Sequence, residues 1–140
     1  MMMRNNSILQ DAHFHHVALK VTDFDRSLRF YTEGLGLTAV ALWGEGDGRA
    51  AMLDLGDGGH IEMFAGGRPY DIPEDAAGCF FHLAVGVEDT DAAFARAVSL
   101  GCPVQMEPTD CAITSEPPIP LRIAFVKGPD GEVIEFFHIR

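Results

Sequence analysis

The stretch Phe14-His15-His16-Val17-Ala18-Leu19-Lys20-Val21-Thr22-Asp23 returns 66 residues later as Phe80-Phe81-His82-Leu83-Ala84-Val85-Gly86-Val87-Glu88-Asp89. Phe, His, Ala, Val and Asp recur in place. A second pair of blocks follows in the same order: Asp57-Gly58-Gly59-His60-Ile61-Glu62-Met63-Phe64 matches Asp130-Gly131-Glu132-Val133-Ile134-Glu135-Phe136-Phe137 at an offset of 73. One such match could arise by chance. Two in the same order, with titratable residues in register, mark an internal duplication, and an internal repeat decides the architecture before any local reading does.

Each copy reads the same way from its start. Val17, Leu19 and Val21 alternate with His16, Ala18 and Lys20, and Leu83, Val85 and Val87 alternate with His82, Ala84 and Gly86. A period of two predicts a strand with one apolar face. Thr22-Asp23-Phe24-Asp25 then supplies an N-cap, Leu28, Tyr31 and Leu35 recur at helical spacing, and Gly34 with Gly36 ends the helix. In the second copy Asp89-Thr90-Asp91 opens a helix with Phe94, Ala97, Val98 and Leu100 facing inward, and Gly101 stops it. Asp57-Gly58 and Asp130-Gly131 are hairpin dipeptides. The fold expected is α+β, one domain over residues 1–140 built of paired βαβββ modules. Module one covers about 13–66, a Pro- and Gly-containing linker about 67–78, and module two about 79–138. The segment 107–120 holds Pro108, Pro117, Pro118 and Pro120 and is expected to be an irregular loop, either a lid over a site or a rigid excursion.

Alternation also decides which side chains share a face. If Val17, Ile61, Leu83 and Ile134 pack on the helices, then His16, Glu62, His82 and Glu135 lie on the opposite face with Ala18, Phe64, Ala84 and Phe137. Carboxylates in such a mostly apolar cleft are costly unless paired or bound to a metal. Two imidazoles and two carboxylates suit one divalent transition ion, and Zn, Ni, Co, Mn and Fe all fit that donor set.

Ten basic residues against twenty-one acidic ones give a formal net charge of −11. That disfavours nucleic acid and anionic membranes as partners, since both require a cationic face. Three cysteines, Cys79, Cys102 and Cys111, form no CxxC pair and read as free thiols of a reducing compartment. Met1 to Ala12 lacks the apolar core of a secretory signal, and no run of 18 apolar residues occurs, so a cytoplasmic location is expected.

The runs His16-Val-Ala-Leu-Lys-Val, His60-Ile-Glu62-Met-Phe, His82-Leu-Ala-Val-Gly-Val and Gly128-Pro-Asp-Gly-Glu-Val-Ile-Glu135-Phe-Phe resemble the vicinal oxygen chelate superfamily, which includes glyoxalase I, bleomycin resistance proteins and extradiol dioxygenases. The segment Leu28-Arg29-Phe30-Tyr31-Thr32-Glu33-Gly34-Leu35-Gly36-Leu37 is similar to its first-helix signature. The resemblance runs from about Phe14 to Phe137. It implies a curled mixed sheet around a metal cleft, with His16, Glu62, His82 and Glu135 as ligands, the pattern of glyoxalase I. It further implies a metal-dependent lyase or isomerase that transfers a proton through a metal-bound enediolate of a small vicinal-oxygen substrate. Glu135 is the first candidate for the base and Glu62 the second. The same superfamily leaves open an epimerase, an extradiol-type dioxygenase, or a non-catalytic protein that binds an antibiotic or toxin. A homodimer is expected, with the two modules either closing on each other or exchanging partners between chains.

Glutathione recognition is less supported by the residues. Phe64-Ala65-Gly66-Gly67 follows Glu62 where glyoxalase I typically has an Asn, Lys20 replaces a usual Arg, and other basic candidates are few: Arg122 and Arg68. His60 shares the face of Glu62 and is an alternative ligand or a donor behind it. Trp43 and Tyr70 are candidates for a pocket wall. His13, His15 and His138 are expected to be structural.

Overall fold

A computed structural model of the chain describes residues 6–69, 71, 73 and 75–140. Module one runs β1 (His16–Lys20), α1 (Phe24–Arg29) continued by a π-helical turn (Phe30–Gly34), β2 (Thr38–Trp43), β3 (Ala50–Asp54) and β4 (His60–Phe64). Module two runs β5 (Leu83–Gly86), α2 (Thr90–Ser99), β6 (Val104–Ile113), β7 (Ile119–Lys127) and β8 (Val133–Ile139). The sheets have the orders β1-β4-β3-β2 and β5-β8-β7-β6. In each, the first strand runs parallel to the last, and the other pairs are antiparallel. The helix carries the chain across so that the first strand can receive the last, the crossover a parallel pair requires.

Matched sequence signals produce matched local structure. Asp23 and Asp89 cap their helices by accepting from Arg26 N at 3.1 Å and Ala92 N at 2.9 Å. Gly36 and Gly101 leave the helices at φ +83° and +88°, where a side chain would be strained. In β4 the alternation is realised as read: Ile61 and Met63 are sealed, while His60, Glu62 and Phe64 are partly open. Full burial of side chains of this kind is worth about 1.5–3 kcal/mol each.

The helix-facing sides of both sheets feed one core, in which Val21, Tyr31, Ile61 and Met63 of module one meet Ala97, Val126, Ile134 and Phe136 of module two. Polar contacts tie the seam. Tyr31 donates to Glu132 at 2.9 Å, Thr22 N donates to Asp130 at 3.1 Å, and Arg96 of α2 donates to the Gly34 and Glu33 carbonyls at 2.9 and 3.3 Å. With the helices inward, the faces that carry the histidines and glutamates are left open.

Two expectations are corrected. Residues 107–120 are not an irregular loop, since most of them extend the β6–β7 hairpin and only 114–118 connect the strands. The prolines are compatible with sheet because β6 is an edge strand whose pairing shifts register around Pro108, while Pro117 and Pro118 lie in the turn. Pro120 lacks an N–H, but its carbonyl accepts from Arg140 N at 3.0 Å. In α2, Ala97 is buried as expected, but Val98 and the capping Leu100 just past its end remain 42% and 37% exposed. Thr90 is buried instead, donating to the Arg122 carbonyl at 3.0 Å. No helix among the described residues is long and apolar enough to cross a membrane.

Candidate metal centre

Strand register builds the two halves of the site. His16 opens β1 opposite His60 of β4, and Ala18 stands opposite Glu62. On the far side of β4, Glu62 faces Met52 and Phe64 faces Ala50. Ala50 in turn faces Trp43 of β2, whose ring stands edge-on to Phe64 at 6.4 Å. Partners in register share a face, so the His16–Glu62 pair lies on an open sheet surface walled by Met52, Phe64 and Trp43. Their separation is 3.8 Å from Nε2 to the nearer oxygen, with 39% and 21% of the side chains exposed.

The second half repeats this plan. His82 lies just ahead of β5, Ala84 stands opposite Glu135, and Phe125 flanks Glu135 from β7. His82 Nε2 is 3.0 Å from Glu135, and its ring is met edge-on by Phe81 and Phe125 at 4.8 and 5.5 Å. Only 9% of the Glu135 side chain is exposed. Burial pushes its carboxyl above the usual glutamate range, against the opposing pull of His82.

The structure therefore brings His16 to Glu62 and His82 to Glu135, but not one pair to the other. Among the described residues no three His, Cys, Asp or Glu side chains lie close enough to hold a metal ion. A single chain carries two separate pairs, each of one imidazole and one carboxylate. The donor chemistry fits a divalent transition ion, and Glu135, a buried carboxylate facing a single imidazole, is a group that a cation would compensate.

Other candidates fall into place around these pairs. His60 is turned to a different acid, with Nε2 at 3.6 Å from Asp54 and Nδ1 at 3.1 Å from the His15 carbonyl. Asp54 and His60 are cross-strand partners of the Asp57-Gly58 hairpin, so that pairing was within reach of the sequence. His15, expected to be structural, is exposed and adjoins the first pair: its Nδ1 is 2.8 Å from His16 Nδ1, and its ring stacks on His60 at 4.8 Å. No period separates such a residue, just ahead of a strand, from a bystander. His13 is exposed, and His138 contacts the Val87 carbonyl at 2.9 Å. Arg122 grips Asp91 through two bonds of 2.6 and 2.8 Å and Asp110 through one of 3.1 Å, which raises its pKa further. It is a partner of acids on the protein itself. Tyr70 lies outside the described residues.

Comparison with known proteins agrees with the paired-module fold. Residues 13–136 match the family model of the glyoxalase/bleomycin resistance protein/dioxygenase superfamily. The chain is 33% identical over 129 residues to a probable lactoylglutathione lyase of Vibrio parahaemolyticus, covering 86% of each protein. It is 30% identical over 136 residues to the lactoylglutathione lyase of Haemophilus influenzae, covering 86% of this chain and 88% of that one. The solved structure of the trypanothione-dependent glyoxalase I of Leishmania major superposes with a TM-score of 0.65 at 27% identity, covering 91% of this chain and 87% of that one. With a match spanning both halves of the duplication, the chain belongs to the glyoxalase/bleomycin resistance protein/dioxygenase superfamily.

Proposed function

We propose that the protein is a divalent-metal-dependent lyase or isomerase of glyoxalase type, acting by proton transfer on a small substrate with two adjacent oxygens. Its site is assembled between two copies, His16 and Glu62 coming from one chain and His82 and Glu135 from the other. The observation that carries this reading is the repetition of one histidine–glutamate pair on two open sheet faces that do not meet within a chain. Either half alone offers two ligands, fewer than a stable transition-metal site uses.

The surroundings of both half-sites support a second copy as the missing partner. β1 and β5, the strands that carry or adjoin the histidines, are both sheet edges, and an open edge is a template for pairing with another chain. Phe14, Phe80 and Phe81, beside those edges, are 65%, 88% and 75% exposed. An exposed apolar group of this size is a feature of interaction surfaces.

A divalent ion, when bound, would supply Lewis acidity toward the two substrate oxygens. His16 and His82 would hold it, and Glu62 would balance its charge. Glu135, the drier carboxylate and one whose carboxyl burial pushes above the usual glutamate range, takes the proton from the hydroxyl-bearing carbon and returns it to the adjacent carbonyl carbon, while the hydroxyl proton passes to the other oxygen. Met52, Phe64, Phe125 and Phe137 share the faces of the two pairs by register and exclude water during the transfer.

The test combines elemental analysis of the purified protein with turnover of a panel of hemithioacetals and 2-keto or 2-hydroxy compounds in deuterated water. One ion per histidine–glutamate–histidine–glutamate set and solvent deuterium in the product are expected. Oxygen consumption instead would identify a dioxygenase. A metal-free protein that binds but never turns over the panel would identify a sequestering protein.

A further inference from the structure

A second site lies on the helix side of the molecule. Between the C-terminal ends of the two helical segments and the Gly128-Pro129 turn is a cleft of about 410 Å³. Arg26, Arg29, Arg96 and Lys127 line it, four of the ten lysines and arginines in a chain with twenty-one acidic residues. Glu33 is the single acid of the lining. Outside the cleft, Arg49 is matched with Asp25, Arg122 with Asp91 and Asp110, and Arg140 with Asp110, while Lys20 and Arg68 form no ion pair among the described residues. None of the four cleft cations forms an ion pair among the described residues. One is fixed in advance, because Arg96 donates Nε and Nη2 to the Gly34 and Glu33 carbonyls, which leaves Nη1 free. Phe30 and Leu100 add an apolar wall.

Helix C-terminal carbonyls attract cations, and that explains Arg96. Arg26 and Arg29 likewise stand in the last turn of α1, but helix ends do not account for Lys127 or for the gathering of all four around one cleft, since each added like charge is unfavourable unless an anion compensates it. We propose that the cleft is a binding site for the phosphate group of a small metabolite, on the opposite side of the sheets from the histidine–glutamate pairs. Arginine forks match phosphate oxygens in pairs, and the volume is within the roughly 300–1,000 Å³ of small-molecule sites. With three surplus positive charges, the cleft favours a doubly charged anion over chloride.

The experiment is a titration of the full chain with inorganic phosphate, followed by amide chemical shifts at constant ionic strength set with chloride. Saturable shifts at Phe30, Gly34, Gly101 and Gly128 are expected, and they should be retained in His82→Ala. They should weaken at least about tenfold in Arg29→Ser/Lys127→Ser, the scale of one or two lost charge-assisted bonds. Both substituted side chains are exposed, and Arg26→Ser alone provides a second variant with a smaller expected loss. No saturable shift beyond the chloride control, undiminished binding in the double variant, or shifts confined to His16 and His82 would each overturn the proposal. The last of these would leave the metal centre reading intact.

Discussion

His82 Nε2 lies 3.0 Å from Glu135, and the repeat-equivalent His16 Nε2 lies 3.8 Å from Glu62, so the second module holds the tighter and more buried pair. The two halves are alike in kind and unequal in environment, and the expected phenotypes follow that inequality.

Removing either imidazole should release the metal. His82→Ala and His16→Ala are each expected to weaken metal affinity by at least about tenfold and to lower the melting temperature of metal-loaded protein, because ion binding contributes to folded-state stability. Inductively coupled plasma analysis and a thermal scan with and without chelator measure both effects. Unchanged affinity in both variants would remove the site.

Glu135→Gln preserves shape and one oxygen donor but not basicity. Turnover is expected to fall by about 100-fold or more while metal is retained, the scale of losing a general base. If Glu62→Gln is the inactive variant and Glu135→Gln is active, the two carboxylates have exchanged roles.

Glu132 carries a pH signature unrelated to the metal. Burial holds its carboxyl above the usual range, outweighing bonds from Asp130 N and Tyr31 OH. The folded state therefore keeps this proton at pH values where the unfolded chain has released it. The contribution of Glu132 is thus most favourable on the acid side and is lost as pH rises through the folded pKa. Glu132→Gln cannot titrate and its amide oxygen can still accept from Tyr31. Its stability relative to the parent should rise with pH from the ordinary glutamate range and level off once pH exceeds the raised folded-state pKa. Denaturant melts across that window measure it, and a flat difference would refute the assignment.

The fold was legible because the duplication made each element readable twice. Sheet faces, helix starts and hairpins followed from period and turn chemistry, and the four ligand candidates from alternation. What eluded sequence reasoning was not local. Pro108 reads as a breaker until its strand is known to be an edge. Val98 and Leu100 have helical spacing but lie beyond the arc that the sheet covers. Arg122 reads equally as a holder of an anionic substrate group or as a partner of an acid on the sheet, and folding decides for the acids, Asp91 and Asp110. Whether the half-sites meet depends on how one module docks on the other, and no periodicity encodes that.

Substrate preference follows from the same cations. With Arg122 occupied by two aspartates, Lys20 is the basic residue adjoining the open face of module one, opposite Phe64. A net charge of −11 repels anions at long range. The methylglyoxal–glutathione adduct is therefore expected to be a poor substrate, with kcat/KM below roughly 10⁵ M⁻¹s⁻¹ on metal-loaded protein at physiological salt. A higher value would show that the open faces receive glutathione by contacts other than arginine.

The central claim, one metal site completed by two chains, is tested most directly by mixing two inactive proteins. His16→Ala/Glu62→Ala lacks the first half-site and His82→Ala/Glu135→Ala the second. Neither alone should retain the ion, since every site in either homodimer would hold one pair only. After exchange of subunits, half of the sites in each mixed dimer should be complete and the other half should lack both pairs. Metal binding and turnover should then appear on mixing and follow the amount of heterodimer, measured by elemental analysis of the isolated heterodimer. Failure of verified heterodimers to bind metal, with the parent protein binding it, would contradict the claim and place the four ligands within a single chain.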